Sequence, residues 1–265
     1  MGDLNLVVVV VAVFAASWFA PRLQGFLGWM RPNHQGKTVP AVEGIGVVFT
    51  VVVAMLAIGK PSGAALIAGF GAIGLLDDLR GDRTHGGFRG HVAALLEGKL
   101  TTGLVKLVLL PAGALVWGIA TLGPGYGRAI PGAILVAGAA NLVNLLDTRA
   151  GRARCLGGLI VVPALVNMLR SGNGAAWVEI GLLLLATMPG FLRDRRGVGM
   201  LGDTGANALG AVLAWAVVRW CPTTVMAGSM VVVVFLNIVA ERISFHRLLT
   251  STPGIRVIDR WTGVR

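Results

Sequence analysis

The chain alternates between long apolar runs and short connections that carry charged residues, proline or glycine. The apolar runs cover residues 4–19, 42–58, 63–76, 103–122, 130–146, 156–169, 176–192, 206–220 and 225–240. Because about 20 apolar residues in helical form cross a bilayer, we expect about nine transmembrane helices, several of them slightly short. The pattern predicts an all-α, polytopic integral membrane bundle in which residues 1–265 form a single transmembrane domain.

Composition supports the membrane class. The mean hydropathy is +0.78, and 55% of the 265 residues are hydrophobic while 13% are charged. These values lie outside the range of soluble proteins. The first run is preceded by Asp3 and by no Lys or Arg, so we expect a retained span rather than a cleaved signal. Cys155 and Cys221 fall on opposite predicted faces, which argues against a disulfide.

The basic residues are strongly biased toward alternate connections. One set of connections holds only Lys60, Arg128, Arg170 and Arg219, and the other set holds nearly all the rest. The positive-inside rule then predicts an N-terminus outside, a cytoplasmic C-terminus, and cytoplasmic loops near 21–41, 77–102, 147–155 and 193–205 with a tail at 241–265. The net charge of +11 would meet anionic headgroups and cytosolic anions on this face. Nucleic acid is not expected, because the chain has no soluble basic domain.

Two adjacent carboxylates end the third apolar run, in the stretch "GLLDDLRGD". Asp77 and Asp78 repel each other, so a site that keeps both ionised favours a divalent cation or a nearby Arg/Lys cluster. The alternative is a solvated helix end followed by a charged turn.

Amides and a carboxylate share one face of the fifth predicted helix, in "NLVNLLD". Asn141, Asn144 and Asp147 are spaced i, i+3 and i+6 and reach the inner end of the span. Amides inside a membrane helix are costly unless they bond a neighbour or a ligand. The alternative to ligand binding is hydrogen bonding between helices.

A glycine-flanked acid begins the eighth run, in "GMLGDTGANALGA". Gly202 and Gly205 free the backbone around Asp203 and Thr204, so N–H groups at a helix N-terminus could face an anion. The alternative is an ordinary glycine-rich turn with a helix cap.

The segment that leads into the second run, residues 31–46, contains Lys37. By itself this segment would be an ordinary positively charged loop on the cytoplasmic face. Four connections far apart in sequence therefore converge on one predicted face, and three of them carry carboxylates. This combination indicates a metal–phosphate site at the membrane surface.

In their order along the chain, these motifs resemble a known family. The segments "GKTVPAVEGI", "GLLDD", "NLVNLLD", "LGDTGANALG" and the basic tail "ERISFHRLLTSTPGIRVIDRWTGVR" are similar to those of the polyprenyl-phosphate N-acetylhexosamine-1-phosphate transferases of glycosyltransferase family 4. The resemblance implies a plasma-membrane enzyme of about ten helices with a cytoplasmic active site. Such an enzyme transfers a sugar-1-phosphate from a UDP-sugar to undecaprenyl phosphate with Mg2+ and releases UMP, in cell-wall or surface-polymer biosynthesis.

The resemblance also implies roles for single residues. It implies catalytic roles for Asp77, Asp78 and Asp203, and Mg2+ coordination by Asp78, Asp147 and Asp203. It implies a substrate-binding set made of Lys37, Asn141, Asn144, Asp147, Gly202, Thr204 and His246. The expected partners are the UDP-sugar, undecaprenyl phosphate, membrane lipids and a second copy of the chain in a homodimer.

The expected chemistry is in-line attack of the lipid phosphate on the β-phosphorus of the donor, with positive charge aimed at the reacting oxygens. An aspartate of the pair could be a metal ligand, a base or a nucleophile, and the sequence leaves these roles open.

The chain departs from the family pattern at several positions. Thr148 and Ala150 stand where the family has Gly and a second Asp, Glu43-Gly44 stands for Gly-Gly, and a His-rich loop is reduced to His246. These departures keep open a catalytically degenerate scaffold or a transporter with the same fold. The stretch "DTRAGRA" faintly resembles the CDP-alcohol phosphotransferases, but residues 155–172 supply none of the acids which that motif requires.

Overall fold

The computed structural model describes residues 2–27, 30–32, 36–40, 43–80, 87–123 and 126–242 of the chain. Helices dominate these residues: α1 Gly2–Leu27, α2 Glu43–Ala57, α3 Pro61–Arg80, α4 Gly87–Leu96, α5 Thr102–Leu122, α6 Tyr126–Leu146, α7 Arg152–Gly157, α8 Val162–Ser171, α9 Gly174–Ala186, α10 Phe191–Arg195, α11 Gly202–Trp220 and α12 Thr223–Arg242. A 3₁₀ turn, Gly158–Val161, joins α7 to α8. The helical prediction is thereby confirmed for nearly all of the described chain.

A small sheet is the exception to the all-α prediction. Strands β1 (Met30–Pro32) and β2 (Thr38–Pro40) pair antiparallel, with Met30 opposite Pro40 and Pro32 opposite Thr38. The strands precede α2, so the loop that carries Lys37 leads directly into a strand. The backbone N–H of Met200 donates to Pro40 O over 2.8 Å, which ties this sheet to the segment before α11.

Five helical stretches of the described residues are long and apolar enough to cross a membrane: Pro61–Arg80, Thr102–Leu122, Gly127–Leu146, Arg152–Ser171 and Thr223–Ala240. Shorter apolar helices occupy Leu4–Phe19, Glu43–Ala57 and Gly174–Ala186. A multi-pass membrane protein is the class these helices indicate. The number of nine spans and the orientation of the termini remain predictions.

One predicted apolar run is divided in the structure. Residues 176–192 were expected to form a single span, but α9 ends at Ala186. Pro189 follows, and Gly190 takes the left-handed conformation with φ of 70°. Since proline and a left-handed residue both interrupt a helix, the chain turns here and begins the short α10.

Helix α11 forms the centre of the bundle. Every residue from Thr204 to Val218 is buried, and α11 packs against α6, α3 and α2. A helix that is buried on all sides must be approached closely by its neighbours. At Gly210, an added Cβ atom would lie 2.6 Å from Ala140 Cα of α6, so the glycine allows backbone contact between these helices. The first turn of this central helix carries Asp203.

Candidate active site

Three helices bring a lysine and two aspartates together. Lys106 of α5 forms an ion pair with Asp203 at the beginning of α11, and its Nζ lies 3.5 Å from Oδ2 of Asp77 near the end of α3. The three side chains are 15%, 24% and 21% exposed, respectively, so the cluster is partly shielded from solvent. The carboxyl groups of Asp77 and Asp203 also interact with each other, and Thr102 hydrogen-bonds Asp77. Two carboxylates thus share one ammonium group.

The local sequence explains why Lys106 reaches this position. Thr101 caps α5, and its hydroxyl accepts a hydrogen bond from the backbone N–H of Leu104 over 3.2 Å. Lys106 therefore lies near the N-terminus of α5, where α5 packs against α3. Side chains on a helix tilt toward its N-terminus, which directs Lys106 back toward the end of α3.

Asp78 has a different environment from Asp77. Its Oδ1 accepts a hydrogen bond from the backbone N–H of Asp203 at 3.0 Å, and its Oδ2 accepts from the backbone N–H and the hydroxyl group of Thr204 at 2.8 and 2.6 Å. Gly202, with φ of 66°, lies directly beside this carboxylate. The predicted residues Gly202 and Thr204 therefore contact Asp78, and Thr204 is buried.

The two predicted asparagines form hydrogen bonds between helices. Asn141 donates to Asn237 Oδ1 of α12 at 2.6 Å, and Asn144 donates to Asn207 Oδ1 of α11 at 3.3 Å. These bonds match the packing alternative that the sequence left open. Asn207 is fully buried, and its Nδ2 has no hydrogen-bond partner among the described residues. The pair of Asn144 and Asn207 thus places polar groups one turn from both Asp147 and Asp203.

A small open cleft lies beyond the end of α6. Its lining residues are Asp147, Thr148, Arg149, Ala150, Asp194, Gly197, Gly199 and Met200. Burial raises the pKa of Asp147 well above its usual range, and the charges of Asp194, Asp203 and Asp78 raise it further, while Arg154 acts in the opposite direction. Asp147 therefore connects this cleft electrostatically to the acids at the beginning of α11.

A buried ion pair supports the floor of the cleft. Arg154 of α7 pairs with Asp194 of α10 at 3.3 Å, and both side chains are only 3% exposed. The guanidinium also donates to the carbonyl groups of Thr187 and Pro189. Burial raises the pKa of Asp194, and the charge of Arg154 opposes this shift. Asp194 thus lines the same cleft as Ala150, the residue that stands where the family pattern has its second acid, but Asp194 belongs to α10 and is already paired with Arg154.

Glu43, which stands where the family pattern has glycine, is buried and paired. Glu43 is 1% exposed at the first turn of α2, and its Oε1 accepts from Arg193 Nε at 2.6 Å. Gly190 and Gly199 leave the space that the Glu43 side chain fills. Glu43 therefore connects the beginning of α2 to α10. Lys37 is exposed immediately before β2.

The carboxylate oxygens of this site could supply part of a magnesium coordination shell. Among the described residues, no group of three or more His, Cys, Asp or Glu side chains is arranged to hold a metal ion. Mg2+ commonly takes one or two protein carboxylates and completes its shell with water and substrate phosphates. Asp147 and Asp203, whose charges interact, fit such a site by the chemistry of their oxygens. Asp78 fits less well, because both of its oxygens already accept hydrogen bonds.

Sequence reasoning missed Lys106, Asn207 and the Arg154–Asp194 pair. Lys106 lies inside an apolar run, where an ionisable residue is expensive and by default suggests function, so its signal was present in the sequence. Asp194 and Arg154 gave no comparable signal, because arginine-rich loops are ordinary on a cytoplasmic face. The predicted substrate residue His246 lies outside the described residues.

The family follows from a comparison with known sequences. The family model described as "Glycosyl transferase family 4" matches residues 61–221, from the beginning of α3 through α11. This match covers more than half of the chain and includes Asp77, Lys106, Asp147 and Asp203. The chain belongs to glycosyl transferase family 4, whose members are phosphosugar transferases. No curated protein matches the chain.

Proposed function

We propose that this protein transfers an N-acetylhexosamine-1-phosphate from a UDP-sugar to undecaprenyl phosphate at the cytoplasmic face of the plasma membrane. A phosphate oxygen of the lipid attacks the β-phosphorus of the donor, and a new pyrophosphate bond forms. The bond between this phosphorus and the bridging oxygen breaks, and UMP leaves with the electron pair. The product is a lipid-linked sugar for cell-wall or surface-polymer synthesis.

The observation that carries the proposal is the shared ammonium of Lys106 between Asp77 and Asp203. Two phosphates repel each other, so a phosphoryl transferase must supply positive charge at the reacting oxygens. Lys106 supplies such a charge near the end of α3 and the beginning of α11. This point lies at one end of two apolar spans, Pro61–Arg80 and Thr102–Leu122. This location suits an acceptor whose tail lies in lipid and a donor that arrives from water.

The acceptor needs little activation. The second proton of a phosphate monoester leaves with a pKa near 6, so the lipid phosphate is mostly a dianion at neutral pH. Asp77 accepts a hydrogen bond from Lys106 at 3.5 Å, and in the proposed reaction it holds the ammonium toward the incoming phosphate. Lys106 then exchanges part of its pairing with the carboxylates for pairing with phosphate oxygens.

Asp147 and Asp203 are the residues that we propose to hold Mg2+ together with the donor phosphates. The ion would neutralise phosphate charge at the point of transfer. In this proposal the nucleotide part of the donor binds at the cleft beside Asp147, whose lining also includes Met200 and Gly199. The Arg154–Asp194 pair fixes the wall of this cleft, so the donor meets a preformed surface.

The proposal is tested by a radiolabel transfer assay on the purified protein in detergent. Undecaprenyl phosphate and a panel of UDP-N-acetylhexosamines are supplied with and without Mg2+, and Asp77→Asn and Asp203→Asn are assayed beside wild type. We expect a lipid-linked product that depends on Mg2+ and is lost in both variants. Lys99→Met is the matched control, since Lys99 is exposed and pairs with its neighbour Glu97 at 3.0 Å.

Two results contradict the proposal. Folded wild-type protein that makes no lipid-linked product with any donor would instead support the degenerate scaffold, for which the missing acid at Ala150 gives a reason. Product formation that is unchanged in Asp77→Asn and Asp203→Asn would place the chemistry elsewhere in the molecule.

A further inference from the structure

Asp77 and Asp78 are adjacent in sequence but face different helices. Successive side chains on an α-helix point about 100° apart, so the two carboxylates at the end of α3 cannot share one neighbour equally. Asp77 faces Lys106 of α5. Asp78 faces the first turn of α11, where three donors from Asp203 and Thr204 meet its two oxygens. Two chemically identical residues therefore have separate environments.

The beginning of α11 lacks a cap of its own. The first N–H groups of any helix have no partner within the helix and normally bond a side chain of the preceding residue. In α11 the residue at that position is Leu201, which makes no side-chain cap hydrogen bond. Asp78 supplies the missing acceptors from a different helix, at 3.0 Å to Asp203 N and 2.8 Å to Thr204 N. The partial positive charge of the helix N-terminus also balances the charge of Asp78.

The packing around this contact leaves little freedom. A Cβ atom added at Gly202 would lie 2.9 Å from Asp78 Oδ2, and one added at Gly74, one turn before Asp78, would lie 2.7 Å from Thr204 Cα. Glycines at both positions let α3 and α11 approach until the carboxylate reaches the backbone. The N–H that Asp78 holds belongs to Asp203, whose own carboxylate pairs with Lys106.

We propose that Asp78 is a positioning residue, which caps α11 from α3 and thereby holds the Asp203 carboxylate against Lys106, while Asp77 belongs to the reacting cluster. The cap is independent of any activity. Its catalytic consequence rests on the proposed function, because only a reaction at Asp203 makes the position of that carboxylate matter for turnover.

Amide hydrogen exchange with mass spectrometry tests the cap without substrate. Asp78→Asn replaces a doubly accepting carboxylate by an amide that presents a donor on one side. We expect exchange in peptides covering residues 202–206 to accelerate about 10-fold or more, since hydrogen bonds to charged groups are among the stronger ones. Asp77→Asn is the matched control and should leave these peptides unchanged. Equal acceleration in both variants, or none in Asp78→Asn, overturns the proposal.

Thr204 provides a second test that does not depend on how Asp78→Asn folds. Thr204→Val removes the hydroxyl donor to Asp78, and Thr204→Ser keeps it. We expect Thr204→Val to accelerate exchange at 202–206 and to lower kcat without a matching rise in the donor KM, and Thr204→Ser to restore both. Loss of protection in Thr204→Ser equal to that in Thr204→Val would refute the cap. If exchange behaves as expected but the wild-type protein transfers no sugar-phosphate, the proposed function fails and the cap stands.

Discussion

The ammonium group of Lys106 pairs with the carboxylate of Asp203, although the two residues are 97 positions apart in the sequence. Lys106 is near the beginning of α5, and Asp203 is at the beginning of α11. Each charge alone would be energetically costly at the border of an apolar span. Their pairing joins α5 to α11 at the point where Asp77, near the end of α3, also meets the ammonium group.

Replacement of Lys106 should abolish transfer. In Lys106→Met the reacting phosphates lose a preorganised positive charge, a change that typically reduces kcat about 100-fold or more. Lys106→Arg keeps the charge but not the compact shape of the ammonium, so we expect it to recover only part of the activity. The measurement is the initial rate of lipid-linked product formation. Lys99→Met is the control, and an equal loss in that variant would mean that the effect is not local.

The approach of α3 to α11 should not tolerate a methyl group at Gly74. In Gly74→Ala the new Cβ atom would contact the backbone at Thr204, so the helices must separate and the Asp78 contacts must lengthen. We expect a loss of about 1–3 kcal/mol in stability, as for other overpacked positions, together with lower activity. Gly69→Ala on the same helix is the matched control, because a Cβ atom there meets no atom of the described residues within 4 Å. Thermal unfolding in detergent compares the two, and similar midpoints would contradict the close approach.

Breaking the buried pair below the cleft should destabilise the protein strongly. In Arg154→Met, Asp194 keeps a buried charge without its partner, and the carbonyl groups of Thr187 and Pro189 lose their donor. Removal of one partner from a buried pair typically costs about 3–5 kcal/mol.

The exposed pair of Lys99 and Glu97 serves as the comparison for Arg154→Met. Its side chains are 62% and 60% exposed, against 3% for both Arg154 and Asp194. Lys99→Met should therefore change the free energy of unfolding by less than about 1 kcal/mol. Unfolding midpoints measured by intrinsic fluorescence distinguish the two substitutions, and a comparable decrease in both would show that Arg154 contributes no more than a surface residue.

Asp147 should make stability depend on pH in a definite direction. Its pKa in the folded protein is raised from the ordinary 3.8 by burial and by Asp194, Asp203 and Asp78. When the pKa of a group is higher in the folded protein than in the unfolded chain, the folded protein is most stable at a pH below the unfolded pKa. This stability is lost as the pH rises through the folded pKa. Asp147→Asn should thus unfold at a higher temperature than wild type at alkaline pH, because the asparagine carries no charge to bury. The difference should vanish toward pH 3.8.

The check for Asp147 is a series of unfolding midpoints for both proteins between acidic and alkaline pH in one detergent. A difference that stays constant with pH, or that grows on acidification, would contradict the raised pKa. Activity should fall in Asp147→Asn at every pH, since the same carboxylate is proposed to hold Mg2+ with the donor.

Much of the candidate site could be predicted from local patterns. The helix with Asn141 and Asn144, the acid pair at Asp77 and Asp78, and the glycine-flanked Asp203 are all visible as short motifs in apolar surroundings. The sequence also shows that Ala150 and Glu43 depart from the family pattern, but it does not show which residues these two contact. In the structure, Asp194 accepts a hydrogen bond from the backbone N–H of Gly151, next to Ala150, and Glu43 pairs with Arg193. Both contacts depend on α10, which is far from Glu43 and Ala150 along the chain.

The sequence by itself determined the membrane class, most of the helices and the family, because apolar runs, turn residues and ordered motifs are local properties that any fold of this chain must respect. Only the tertiary structure decided that Lys106 joins Asp77 and Asp203, that Asp78 caps α11, and that Asn141 and Asn144 bond other helices. Those assignments depend on which side chains meet across helices, and a side chain's partner is set by packing over tens of residues rather than by its neighbours in sequence.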